Sequence, residues 1–372
     1  MALGVRDTTS LVMLTGWDAT ELKKFQLQDG ATFDTIVSQL NAALSGINGE
    51  LYGDPLYSSL MSYTDQLETE YRVGSSNGFG EFTEYGRPDP QRGATEGHML
   101  PLKPYDRALG WTWDYLRKAR MPQIQADIAD AVKDVRDLYR VKVLTRLLQR
   151  GDDSGAAAGL GSSGYSPGFA TAAASTAVDF VPPAYGGNTF TSAHEHYVGI
   201  SGGAWTTAQI TDIKAELLEH GHEPPYTCLV SPTDAATIIA LTGFVPTASM
   251  NVNYGDDTSL ASVGPQYSSS GYYIGTYSDV LFRVVYGMPQ YYGFGFKSYG
   301  PNSQRNPLRV RLQKGMMRPT VMAFPDPRSG AGAVFPLQYV TLFTEFGVGV
   351  GDRTAGTPRY NNNTTWADGT PT

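Results

Sequence analysis

The sequence predicts an α+β fold, and three features along its 372 residues lead to this prediction. A glycine-rich stretch at residues 74–99 separates two segments whose residue types favour β-strands. A helical pattern of unusual length follows at residues 121–150. From residue 204 onward, short helical and strand patterns alternate. Together these features predict an extended hairpin, a long helix and an α/β region in one chain.

The composition is that of a globular protein without a basic nucleic-acid-binding surface. The apolar fraction of 41% is sufficient for a sizeable core. The net charge is −8 and only 17% of the residues are charged, whereas surfaces that bind DNA are rich in clustered Lys and Arg. The single cysteine, Cys228, excludes an intrachain disulfide, and because it lies in an apolar run we expect it to pack in the core.

Signals for secretion or membrane insertion are not apparent in the sequence. The first apolar stretch is too short for a signal peptide, and no run approaches the ~18 apolar residues of a membrane span. We therefore expect no membrane partner, and we expect the chain to remain in the cytoplasm in which it is made.

Residues 1–70 are predicted to form an N-terminal arm that contains one helix. Apolar residues at helical spacing define its buried face: Phe33, Ile36, Val37, Leu40 and Leu44. Gly46 is expected to end this helix. The tyrosine-rich segment that follows has no regular pattern, so the arm is not expected to be an independent domain and must pack against something else.

Residues 71–113 are predicted to form an extended β-hairpin. From Tyr105 to Trp113 an aromatic and apolar face alternates with small and acidic residues, which is the period of a strand. The segment at 68–73 also has strand-type residues. We expect these two segments to pair, with the glycine-rich stretch spanning the far end of the hairpin.

The long helical pattern at residues 121–150 has signals at both ends. Pro122 fits the first turn and Gly151 fits the position just after the helix. Aspartates are concentrated towards its beginning and arginines towards its end, as the helix dipole favours. At ~1.5 Å per residue the helix is about 44 Å long, which is more than a small domain requires. It is therefore predicted to be a structural spine.

The remaining sequence alternates between loops and regular elements. Thr206 and Gln209 form a possible capping box, and Ser231 is expected to cap a second helix, with Pro232 at its first position. The segment at 280–285 is apolar on both faces, which predicts a fully buried strand. Residues 301–360 contain further strand patterns, and a polar tail follows.

Candidate catalytic groups are few. His194, Glu195 and His196 could supply metal ligands, since two histidines at alternate positions of a strand lie on one face. The sequence contains no H-E-x-x-H, no G-x-S-x-G and no phosphate-binding loop. We therefore predict a structural protein with no catalytic, cofactor or metal site. A metal-dependent hydrolase using these three residues is the alternative from another class.

The order of these elements resembles the major capsid protein of tailed bacteriophages, which has the Hong Kong 97-type fold. The local pattern is similar in "CLVSPTDAATIIAL" and in "YIGTYSDVLFRVVYGMP". The C-terminal "LQYVTLFTEFGVGVGDRTAG", with Glu345, Arg353 and Ala355, resembles the closing strand of such proteins. The resemblance covers most of the chain and rests on the order of loop, long helix and α/β region.

The resemblance implies a division of the chain into the parts of such a subunit. These are an N-terminal arm (1–70), an extended loop (71–113), a peripheral domain (114–203) with a spine helix (121–150), an axial domain (204–300), returning strands (301–360) and a tail (361–372). The implied function is self-assembly, in hexamers and pentamers, into the icosahedral shell that encloses the double-stranded DNA of a tailed phage. An encapsulin, which is a cellular nanocompartment with the same fold, is the nearest alternative.

The resemblance also implies partners and contact residues. Besides other copies of the chain, these are a portal protein, a scaffolding protein and, as an optional partner, a decoration protein. We expect the scaffolding protein to be separate because the arm helix begins close to Met1. Packaged DNA would lie near the shell without specific binding, in a virion assembled in the host cytoplasm. Residues expected at subunit contacts are Phe33, Tyr52, Tyr57, Phe79, Phe82, Tyr85, Arg87 and Arg92.

Overall fold

The computed structural model describes residues 27–73, 94–151, 167–170, 180–247, 267–325 and 337–372. The described helices are α1 (Phe33–Gly53), α2 (Pro55–Leu60), α3 (Trp113–Lys118), α4 (Met121–Leu148), α5 (Thr207–Glu219) and α6 (Ala235–Ile239). The described strands are β1 (Met61–Thr64), β2 (Glu68–Val73), β3 (Ala94–Met99), β4 (Lys103–Thr112), β5 (Val198–Gly199), β6 (Tyr226–Val230), β7 (Val245–Pro246), β8 (Tyr267–Ser268), β9 (Gly271–Tyr277), β10 (Val280–Val285), β11 (Tyr292–Phe296), β12 (Leu308–Leu312), β13 (Met322–Pro325), β14 (Leu337–Val350) and β15 (Gly356–Tyr360).

The chain forms two compact units that are interleaved in sequence. The first unit comprises Met1–Gly53, Leu102–Tyr139 and Gly315–Phe346. The second comprises Asp54–Pro101, Arg140–Lys314 and Gly347–Thr372. None of the described helices combines the length and the apolar character that a membrane span requires.

Helix α1 of the first unit is longer than the sequence predicted. It passes through Gly46 and ends at Gly53. The apolar stripe continues beyond Leu44 to Ile47 and Leu51, both of which are buried. Burial of these two side chains outweighs the cost of about 1 kcal/mol that a glycine imposes in a helix interior. The prediction that Gly46 ends the helix is therefore wrong.

Strand β4 of the first unit pairs with β14, in antiparallel orientation, and β13 pairs with β14 as well. Leu109 and Trp111 are buried on one face of β4, as the alternation predicted. The strand ends at Thr112 and does not continue through Trp113, because the Thr112 hydroxyl accepts a hydrogen bond from the Tyr115 N–H (3.1 Å) and caps α3.

The hairpin exists, but its second strand is not the one predicted. Strand β2 pairs with β3, with Glu68 opposite Met99 and Val73 opposite Ala94. The aromatic strand β4 has its partner in β14, which lies far away in the sequence. A register between distant strands depends on tertiary packing, which the alternation of a single segment does not encode.

Helix α4 follows the predicted pattern from its beginning at Met121. Buried side chains recur along it at helical spacing: Ile124, Ile128, Ala131, Val135, Tyr139, Val143 and Leu147. The helix ends at Leu148, slightly before the predicted 150. Arg146 stabilises this end, because its guanidinium donates to the carbonyls of Gln149 (2.6 Å) and Gly151 (2.9 Å).

The main sheet of the second unit has the strand order β5-β15-β11-β6-β10-β9-β7, with β8 also paired to β9. Helix α5 covers it with Ile210, Ile213 and Leu217, and the predicted capping box of Thr206 and Gln209 is present. The other core side chains of this cluster come mainly from β6 and β10. Cys228 on β6 is buried as predicted, and burial raises the pKa of its thiol to about 12.

Helix α6 begins later than predicted. A turn occupies residues 232–234, and the helix begins at Ala235 with Asp234 as its cap residue. Ser231 therefore caps a turn, in which its hydroxyl accepts from the Thr233 N–H (3.3 Å), and it does not cap the helix. The Asp234 carboxylate accepts from the Tyr291 N–H (2.9 Å), which links this turn to the segment before β11.

Strand β10 is buried as predicted, but it carries an arginine in its centre. Arg283 is 1% exposed, and its guanidinium lies 3.4 Å from the Asp54 carboxylate. Asp54 is buried too, caps α2 through the Leu56 N–H (2.7 Å) and accepts from the Ser270 hydroxyl (2.9 Å). This network offsets part of the cost of placing charges inside the unit.

Candidate functional site

The residues expected at subunit contacts fall into three groups. Phe79, Phe82, Tyr85, Arg87 and Arg92 lie outside the described residues, as does the side chain of Phe33. Tyr52 is 47% exposed near the end of α1, and remains a candidate contact residue. Tyr57 is 3% exposed, because α2 turns it into the core of the second unit together with Leu56 and Leu60. Contrary to the prediction, Tyr57 is therefore not a surface residue of the subunit.

The base of the hairpin is anchored in the second unit by buried contacts. Thr69 on β2 and His98 on β3 are both buried. The His98 ring nitrogen Nε2 lies 2.9 Å from the carbonyl oxygen of Val350. Leu100, just after β3, donates its N–H to the carbonyl of Leu67 (2.7 Å) and accepts at its own carbonyl from Arg311 (3.0 Å). The hairpin therefore begins from a fixed base.

Exposed apolar side chains form a set that the sequence analysis did not identify. In the first unit they include Tyr115, Met317 and Phe324, and Met317 is 83% exposed. In the second unit they are Val181, Tyr185, Leu218, Ile239, Val245 and Tyr286. For Met317 a signal was available, since "GMMRP" has no strand or helix period that would bury both methionines. Phe324 lies on β13, whose one partner among the described strands is β14.

A groove of 380 Å³ in the first unit lies along β4, α4 and β14. Its lining is Tyr105, Asp106, Arg107, Asp134, Val135, Leu138, Val321, Leu342, Phe343 and Thr344. Arg107 and Asp134 form an ion pair there, and Thr344 donates its hydroxyl to the carbonyl of Thr320 (3.1 Å). The lining contains neither histidine nor cysteine, and its carboxylates are those of Asp106 and Asp134.

The hydrolase alternative required His194, Glu195 and His196 to act together, but the structure separates Glu195 from the two histidines. The Nε2 atoms of His194 and His196 lie 3.0 Å apart, whereas the Glu195 carboxylate pairs with Arg150 (2.5 Å). The two histidines instead approach His220, which follows α5. The pairing of His194 and His196 was foreseeable from their spacing. The approach of His220 was not, because it depends on how α5 packs on the sheet.

The sequence matches no protein-family model, and no curated protein matches it either. Solved structures do match. A structure from Mycobacterium phage Patience is 19% identical, with a TM-score of 0.61, over 92% of this chain and 92% of that chain. The capsid of a native GTA particle computed with C5 symmetry is 11% identical, with a TM-score of 0.47, over 82% of this chain and 88% of that chain. The holo-SrpI encapsulin complex from Synechococcus elongatus PCC 7942 is 11% identical, with a TM-score of 0.42, over 82% of this chain and 86% of that chain.

The similarity to the Patience structure extends over almost the whole chain. This chain has a tailed-phage capsid protein fold. The family resemblance stated from the sequence is thereby confirmed at the level of the fold. A shared fold does not by itself establish a shared function, so the roles of the anchored hairpin and of the exposed apolar side chains are matters for a proposal.

Proposed function

We propose that this chain is the major capsid protein of a tailed phage. In this proposal it self-assembles in hexamers and pentamers into an icosahedral shell that encloses a double-stranded DNA genome. The observation that carries the proposal is the capsid fold, which matches the Patience structure over 92% of both chains with a TM-score of 0.61.

The proposed parts of the subunit are those that the resemblance implied. They are the arm (1–70), the extended loop (71–113), the peripheral domain (114–203) with its spine helix (121–150), the axial domain (204–300), the returning strands (301–360) and the tail (361–372). Within the range of the loop, the hairpin itself is formed by β2 and β3, whereas β4 pairs with β14. A shell subunit makes several different contacts with its neighbours, so it needs elements that reach beyond its own core. The hairpin suits this role because its base is fixed by His98 and Leu100.

Exposed aromatic and methionine side chains support a role in contacts between subunits. Such residues are enriched at protein interfaces, because they bury much apolar area and adapt their shape. Tyr52, Met317 and Phe324 of the first unit belong to this class. We propose that they contribute to the contacts, together with the loop residues Phe79, Phe82, Tyr85, Arg87 and Arg92.

The charge of the chain is consistent with a shell that surrounds DNA without binding it tightly. The net charge is −8, and tight phosphate binding requires clustered Lys and Arg. The proposed partners are a portal protein, a separate scaffolding protein and, as an optional partner, a decoration protein. The proposed location is the virion, after assembly in the host cytoplasm.

Electron microscopy of the purified protein tests the proposal. The chain is expressed alone and together with its neighbouring phage genes, and each sample is separated by size and imaged. We expect closed icosahedral shells, and DNA inside those recovered from virions. Shells that contain an enzyme cargo and no DNA would identify an encapsulin. A uniform small oligomer under all conditions would overturn both shell functions.

A further inference from the structure

Three histidine side chains converge in the second unit, outside any surface used in the proposed function. The Nε2 atoms of His194 and His220 are 2.9 Å apart, those of His196 and His220 are 2.9 Å apart, and those of His194 and His196 are 3.0 Å apart. A carboxylate oxygen of Glu219 lies 3.3 Å from the His194 Nε2 and 3.6 Å from the His220 Nε2. We propose that His194, His196, His220 and Glu219 bind a structural Zn²⁺ ion.

Hydrogen bonds alone do not account for this arrangement. Each Nε2 atom either carries a hydrogen or presents a lone pair, so among three mutually adjacent atoms at least two are in the same state. At least one of the three contacts therefore places two lone pairs, or two N–H groups, against each other. A cation that accepts all three lone pairs removes this conflict.

The orientation of His196 favours metal binding. Its Nδ1 atom lies 2.8 Å from the carbonyl oxygen of Gly356, which accepts hydrogen bonds only, so Nδ1 donates. In the neutral ring, Nε2 then presents its lone pair towards the cluster. A backbone carbonyl on the far nitrogen is the usual support of a metal-binding histidine, because it fixes both the tautomer and the ring orientation.

The protein buries most of this cluster away from water. The His196 residue is 0% exposed, and the side chain of His220 is 1% exposed. The ring of Phe190 packs against His194 (4.8 Å between centroids) and His220 (4.4 Å). This apolar surrounding limits the access of water to the cluster.

The geometry fits a tetrahedral ion after small movements. In a tetrahedral zinc site with Zn–N distances near 2.0–2.1 Å, the ligand nitrogens are about 3.3 Å apart. A point about 2 Å from all three Nε2 atoms lies about 1 Å out of their plane. The ligand atoms of the four residues lie within 4.8 Å of one another, so Glu219 can complete the coordination.

With four protein ligands, a tetrahedral zinc ion has no free coordination position, and such an ion stabilises the fold and does not act in catalysis. Catalytic zinc sites keep one position for water or substrate. The proposed set differs from the hydrolase alternative, because Glu195 pairs with Arg150 and is replaced by Glu219 and His220. The ion would join the segment before β5 to the end of α5, and through Gly356 to β15. It would therefore hold together three parts of the second unit that are distant in sequence.

Metal analysis of the untagged protein tests the site. The chain is treated with a chelator, supplied with one equivalent of Zn²⁺, desalted and analysed by mass spectrometry of the metal. We expect about one zinc per chain and a Tm that rises with zinc and falls on chelation. Replacing zinc by Co²⁺ should give the strong visible absorption of a tetrahedral ion.

Matched variants identify the ligands. His194→Gln and Glu219→Gln should weaken zinc binding, the former by about 100-fold or more. The controls are His222→Gln, since His222 bonds to Tyr299 and Thr354 outside the cluster, and Glu223→Gln, which is exposed. Both controls should retain the zinc of the unaltered chain.

Two results would overturn the proposal. One is less than about 0.1 zinc per unaltered chain after the titration. The other is full zinc retention in the folded double variant of His194→Gln and His220→Gln. If the variants fail to fold, the cobalt spectrum of the unaltered chain decides, because it requires no substitution. The result does not depend on shell formation, so failure of the proposed function would leave it intact.

Discussion

His98 is a buried titratable group at the base of the hairpin. It is 5% exposed, and burial, reinforced by the charge of Arg353, lowers its pKa to about 3. In the unfolded chain a histidine titrates near 6.5, so the unfolded state binds the proton first as the pH falls. The contribution of neutral His98 to stability is therefore complete above about pH 6.5 and is lost progressively towards pH 3.

We expect the His98→Gln variant to have a flatter stability profile than the unaltered chain. Between pH 6.5 and 5 the titration of one such histidine lowers the free energy of unfolding by about 1.5 kcal/mol. The variant should not show this pH-dependent decrease in the free energy of unfolding. Loss of the contact with Val350 should lower its stability at pH 7. Denaturant unfolding at several pH values measures both effects.

Other buried histidines also titrate, so the comparison is made between the two proteins and at constant zinc. His196 and His220 contribute equally to both profiles and cancel in the difference. Carboxylates titrate mainly below pH 5 and contribute little within the chosen window. Parallel profiles for the two proteins would contradict the role of His98.

Some of these residue environments were predictable from the sequence and others were not. The burial of Cys228 follows from its apolar neighbours in "YTCLV", which is local information. The burial of Tyr57 was missed because a short helix without a clear period does not reveal its inward face. The meeting of His194 with His220 depends on the packing of α5, which no local pattern encodes.

At the scale of elements, α1 illustrates how a periodic apolar stripe competes with a local breaking signal. Gly46 and Gly49 both lie inside the helix, and both are exposed. A Cβ atom added at Gly46 would meet no atom within 4 Å. The glycine therefore serves no close approach within the described structure, and it lowers the stability of the helix.

We expect Gly46→Ala to raise the free energy of unfolding by about 0.5–1 kcal/mol. Alanine restricts the unfolded chain and favours the helix, and nothing in the described structure obstructs its methyl group. Thermal and denaturant unfolding of the subunit measure the change.

Gly30→Ala is the matched control in the same unit. Gly30 also has open space around its Cβ position, but its φ is +82°, in the left-handed region. Alanine there should lower stability by about 1 kcal/mol. If Gly46→Ala lowered the free energy of unfolding as well, the result would contradict a helix that continues through Gly46. It would instead favour the prediction from the sequence, in which α1 ends near Gly46.

Elements that depend on interactions between residues close in sequence were predicted accurately, whereas pairings between distant segments were not. Helix α4 was predicted almost to its last turn, because its stripe and caps are local in sequence. The strand character of β4 was predicted from alternation, but its partner was not, since β14 follows it by more than half of the chain. Strand β4 ends earlier than predicted because the side chain of Thr112 caps α3, which begins at the next residue.

At the scale of the whole molecule, the hairpin is the element that the proposed function requires to contact a neighbouring subunit. Its stem is a regular two-stranded ribbon that pairs from Glu68 opposite Met99 to Val73 opposite Ala94. Its base is held by buried contacts of His98 and Leu100. Isolated two-stranded ribbons are marginally stable in water, so in the proposed shell this ribbon would gain stability from contact with another subunit.

The last prediction separates folding of the subunit from assembly. Residues 74–93 are replaced by Asn-Gly, which joins the paired residues Val73 and Ala94 by the two-residue turn that hairpins favour. We expect a soluble subunit with an unchanged Tm, because the described contacts of the stem and of both units are kept, but no closed shells by electron microscopy. A second variant replaces 74–93 by a Gly/Ser linker of equal length, and it should also fail to assemble if the loop side chains make the contacts. Normal shells from both variants would contradict the role of the loop, and an unfolded Asn-Gly variant would show that the segment supports the fold itself.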